Sequence, residues 1–133
     1  MSAPLKKAGC EALLRASYED ETKSFVMTVG VAVLPSAAAA ADVARTMTES
    51  GTVVQPDLAG HYYSRQLSSV LTAGPYLIMY QAGYADGRPR VQLTHDSYAQ
   101  TEITSMASGV AQEVANDLAA APPPAQCPGG PGC

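Results

Sequence analysis

Three cysteines and two histidines are the residues of this chain best suited to nucleophilic, redox or metal chemistry, and their spacing completes none of these. Cys10 stands alone near one end, while Cys127 and Cys133 lie near the other with five residues between them and no histidine beside them. A structural zinc site needs a tetrahedral set of sulfur and nitrogen donors, usually supplied as closely spaced pairs. A redox pair needs Cys-x-x-Cys. Neither pattern is present, so no metal and no cofactor is expected. Cys10 can be a buried core thiol, a reactive thiol, or half of a disulfide. Its alternation places it with core-facing residues, where a returning tail could bring Cys127 within the ~4–7 Å Cα separation a disulfide requires. Cys133 is the alternative partner, and a local Cys127–Cys133 bridge competes; three cysteines leave one over.

The run Thr94-His95-Asp96-Ser97 offers a base, an acid and a nucleophile in succession. Catalytic triads assemble from separated segments rather than from sequence neighbours, so Asp96 or Ser97 reads instead as the N-cap of a helix. His61, Tyr63, Arg65 and His95 together could line a pocket for a small ligand or an enzymatic reaction. No complete catalytic motif accompanies them, and the balance leans away from an enzyme. Tyrosine is the more informative type. Tyr62, Tyr63, Tyr76, Tyr80 and Tyr84 lie on or beside one expected hairpin, with Arg65 among them. Tyrosine and arginine are enriched where proteins touch one another, which marks these six as a candidate interaction surface.

These side chains must be positioned by elements that hydrophobic periodicity defines. From Cys10 to Asp20 small and apolar residues alternate with polar ones, the period-two signature of a half-buried strand. Cys10, Ala12, Leu14, Ala16 and Tyr18 form its expected core side. Ser24 to Leu34 is apolar on both faces, as a central strand would be, and the turn at Glu19–Thr22 joins the two as a hairpin. Ser36 is a good N-cap for a helix over 37–50, with Ala40, Val43, Ala44 and Met47 as its buried stripe and Gly51 as its stop. Residues 61–72 fit a strand or a helix; the Ala73-Gly74 turn before the clear strand Tyr76–Tyr84 favours the strand. Ile103, Met106, Val110, Val114 and Leu118, flanked by Ala107 and Ala111, share one face of a final helix that ends before Pro122.

The predicted order is β-β-α-β-β-α. The expected fold is α+β: two β-β-α units forming a four-stranded antiparallel sheet with two helices on one face. Residues 1–9 read as an N-terminal tail, 10–121 as a single domain, and 122–133 as a tail rich in proline, glycine and cysteine. A chain of 133 residues can bury its own core. The eight basic residues are scattered and the net charge is −4, which does not suit a nucleic-acid partner. No apolar run reaches the ~20 residues of a membrane helix, and the segment before Cys10 lacks the apolar region of a signal peptide.

Several stretches carry a resemblance. Gly9-Cys10 with Leu14-Arg15-Ala16 and Tyr18, and Thr28-Val29-Gly30-Val31-Ala32-Val33-Leu34-Pro35, resemble a group of actinobacterial membrane-anchored proteins of uncharacterised function. Arg65-Gln66-Leu67-Ser68-Ser69-Val70 and Ala82-Gly83-Tyr84-Ala85-Asp86-Gly87-Arg88-Pro89 are similar to the same group. The resemblance implies an extracytoplasmic domain tethered by a membrane segment. The lack of a catalytic motif, and the sheet face that two helices on one side would leave uncovered, point to a protein partner in the cell envelope or a second copy of itself, met through that face or the Tyr-rich second hairpin. The expected function is therefore a non-catalytic, extracytoplasmic protein-interaction domain of a membrane-anchored envelope protein. A ligand-binding or enzymatic domain and a disulfide-linked structural spacer are the alternatives.

Overall fold

The computed structural model describes residues 3–50, 67–86 and 96–121. The elements in chain order are α1 (Ala3–Lys7), β1 (Ala12–Glu19), β2 (Phe25–Val33), α2 (Ala37–Ser50), β3 (Leu67–Ala73), β4 (Tyr76–Tyr84) and α3 (Ser97–Ala120). The fold is α+β, built on one four-stranded antiparallel sheet of order β1-β2-β4-β3. The two hairpins meet through β2 and β4, in a register running from Phe25 opposite Tyr84 to Val33 opposite Tyr76. Since β2 and β3 are each antiparallel to β4, they run parallel to one another with β4 between them.

Both hairpin turns follow from their residues. Between Ala73 and Tyr76 only Gly74 and Pro75 intervene. Gly74 has φ +56°, and proline fixes a φ near −65° beside it, the sign pattern of a type II′ turn whose twist suits a hairpin. The β1–β2 turn is organised by Asp20. Its carboxylate accepts from the backbone N–H groups of Thr22 (3.1 Å), Ser24 (2.7 Å) and Phe25 (2.7 Å), and from the Thr22 hydroxyl. Lys23 closes the turn in the left-handed region at φ 56°.

Helix starts are capped by the residues expected to cap them. Ser36 Oγ accepts from Ala39 N–H at 3.1 Å at the head of α2. Asp96 Oδ1 accepts from Ala99 N–H at 2.9 Å at the head of α3. Asp96→Ala is expected to destabilise the domain by about 1 kcal/mol, within the ~0.5–2 kcal/mol range of lost caps, while Asp96→Asn retains most of the stability. Urea-unfolding midpoints of the two variants check this, and equal losses would show that the cap plays no part.

The helices do not share a face, contrary to the layout expected from the sequence. Along β4, Tyr76, Ile78, Tyr80, Ala82 and Tyr84 pack with Ala99, Ile103, Ala107, Ala111 and Ala115 of α3. Leu77 and Met79, which alternate with them, pack instead with Ala40, Val43 and Met47 of α2. Successive strand side chains point to opposite faces, so the sheet lies between the two helices in three layers. The cause is in the central strands. Every residue of β4 is buried, and β2 is apolar on both sides, so neither face of this pair could be left to water. A two-fold axis normal to the sheet between β2 and β4 would carry one hairpin onto the other and keep both helices on one side. The opposed helices show that the β-β-α unit is repeated in order but not in symmetry.

Residues 1–9, read as a tail, include α1, whose Leu5 is buried with Leu34 and the α2 side chains. On α3 the buried line is alanine and Ile103, with Met106, Val110, Val114 and Leu118 at its flanks. Small residues at the centre let the helix lie close over the bulky side chains of β4. The strand reading of 61–72 holds for the part from Leu67; the remainder lies outside the described residues.

Candidate functional site

Both long helices lie toward the β3 side of the sheet. α3 packs on β4 and β3 and reaches β2 only marginally, and α2 packs on β3 and β4. Edge strand β1 is consequently left bare on the α3 face. Leu14 is 67% exposed and Tyr18 is 47% exposed, with Ala12 and Ala16 exposed beside them. Behind them on β2, Val31 and Val33 are only partly buried, while Val29 and Met27, opposite Ala16 and Tyr18, are buried. A water-exposed apolar stripe on an edge strand is unusual, because such an edge also offers unpaired backbone groups to other chains.

The sequence assigned Ala12, Leu14, Ala16 and Tyr18 to the core side, and the structure reverses this. Alternation was read correctly, but among the described residues no helix packs over that side of β1. The partly buried residues of β1 are Leu13 and Ser17 on the α2 face. There Ser17 Oγ and Thr28 Oγ1 lie 2.8 Å apart in a hydrogen bond. Register continues this pair through Gln81 to Ser68, so one polar row crosses all four strands on the α2 face. Thr28 and Gln81 in it are buried. Sequence alternation could not find the row, because it depends on the pairing of four separated segments.

Cys10 is not in phase with Leu14 and Tyr18. Glu11 N–H donates to the Val33 carbonyl at 2.9 Å although Ala12 is the register partner of Val33, so two residues oppose one, as in a β-bulge. That extra residue moves Cys10 to the α2 side, where it packs half-buried against the cluster containing Leu5 and Leu34. Its thiol is free and donates to the Ala12 carbonyl oxygen at 3.2 Å. Burial pushes the Cys10 thiol up, outweighing the hydrogen bonds around it, so it has little thiolate character at neutral pH. Cys127 and Cys133, the expected bridging partners, lie outside the described residues.

The expected interaction surface divides. Tyr76, Tyr80 and Tyr84 are buried beneath α3 at 8%, 7% and 4% exposure, so they are core and not contact surface. The physical reason is the alanine face of α3, which accommodates their rings; Tyr84 also packs on Phe25 with ring centroids 5.5 Å apart. Tyr62, Tyr63 and Arg65 lie outside the described residues. So do His61 and His95, and with them the ligand pocket proposed from His61, Tyr63, Arg65 and His95.

A second feature is a polar cleft of about 310 Å³ where the β1–β2 turn, the end of β4 and the head of α3 meet. Lys23, Ser24, Phe25, Asp86, Asp96 and Tyr98 are among its walls. The Asp96 carboxylate is engaged in capping α3. The cleft can hydrogen-bond a polar group, and its described walls include no histidine or cysteine. Among the described residues, no group of three His, Cys, Asp or Glu side chains is placed to share a metal ion. Nor is any helix among them long and apolar enough to cross a membrane. Comparison with known proteins finds no matching family model, no matching curated protein and no matching solved structure.

Proposed function

We propose that this chain is a non-catalytic protein-interaction domain, working outside the cytoplasm as part of a membrane-anchored envelope protein. The observation that carries the interaction reading is the bare apolar stripe of β1, centred on Leu14 and Tyr18. Exposed aromatic and aliphatic side chains on an open strand edge supply both apolar area and backbone hydrogen-bonding groups, the two components of strand addition by a partner. The location rests on the resemblance of Cys10–Tyr18, Thr28–Pro35 and Ala82–Pro89 to membrane-anchored actinobacterial proteins.

The test is photo-crosslinking in intact cells, with benzoyl-phenylalanine placed at Leu14 or, on the solvent face of α3, at exposed Glu113. The expected result is a discrete protein adduct from position 14 and none from position 113. Absence of any adduct at position 14, or the same adducts at both positions, overturns the reading. Accessibility of position 14 to a membrane-impermeant reagent, once it carries a cysteine, tests the location separately.

A further inference from the structure

We draw no further inference here: the strongest candidate, the exposed apolar stripe of Leu14 and Tyr18 on the α3 face of edge strand β1, is the surface already proposed to meet a partner, and nothing in the structure shows what covers it.

Discussion

Replacing Ile103 by alanine is expected to lower the unfolding free energy by about 2–5 kcal/mol, a large share of the roughly 5–15 kcal/mol that holds a domain of this size. Ile103 is the one large side chain on the fully buried line of α3; the others are Ala99, Ala107, Ala111 and Ala115. Alanine neighbours have no torsions with which to move into the vacated space, so the cavity stays open and its cost adds to the lost transfer energy. On the opposite side lie Ile78 and the buried tyrosines of β4, which are held by ladder pairing on both edges. The matched control is Val110→Ala, on the half-buried flank of the same helix, where about 1 kcal/mol should be lost. Urea titration of both variants measures the contrast. Equal losses at the two positions would mean that α3 does not lie over β4 along its alanine line.

The second large effect belongs to the β1–β2 turn. Asp20→Ala should destabilise the domain by about 1–2 kcal/mol at neutral pH, the lower part of the range for hydrogen bonds to a charged acceptor, since the turn is solvent-exposed. Slight desolvation raises the Asp20 carboxyl pKa, but hydrogen bonds from the Thr22 hydroxyl and from the N–H groups of Phe25, Ser24 and Thr22 outweigh it. The group is held below the usual aspartate value. The sign of the pH dependence follows from that. A carboxyl whose folded pKa is depressed contributes fully above its unfolded pKa, about 3.9, and loses the contribution as pH falls through the lower folded value. The stability gap between the unsubstituted chain and Asp20→Ala should therefore be widest near neutrality and close at more acidic pH. A gap that stays constant from about pH 7 to about pH 2 would show that ionised Asp20 does not organise the turn.

Much of this architecture can be read along the chain, because local chemistry sets it. Ser36 and Asp96 cap the helices they precede, and the Asp20 and Gly74-Pro75 turns lie where polar or glycine-containing segments interrupt apolar ones. The strand from Phe25 was recognisable as central, since Val26, Ala32 and Leu34 make its second face apolar. The same observation argued for cover on both faces, yet alternation alone does not say which helix lands on which side. The site was less legible for a related reason. Tyr76, Tyr80 and Tyr84 carry the residue type of an interface, and only the alanine line of α3 shows that they are covered. Leu14 and Tyr18 carry the pattern of a core, and only the offset of both helices toward β3 shows that they are bare. The bulge at Glu11–Ala12 is a third instance, since one extra residue moved Cys10 across the sheet without disturbing the alternation that follows it.

The strand order also sets a sequence of events in folding. β1–β2 and β3–β4 are local hairpins, each closed by a short turn, and each can form early from contacts near in the chain. The central seam between β2 and β4 joins residues as distant as Phe25 and Tyr84. It must wait until the second hairpin exists and docks. Until then the first hairpin exposes two open edges, and β2 shows apolar side chains on both faces. A first hairpin not yet joined to the second presents more apolar surface than the native chain does, and surface of that kind is where neighbouring chains pair wrongly. Docking of β4 closes the inner edge and buries both faces at once, leaving β1 and β3 as the outer strands of the sheet.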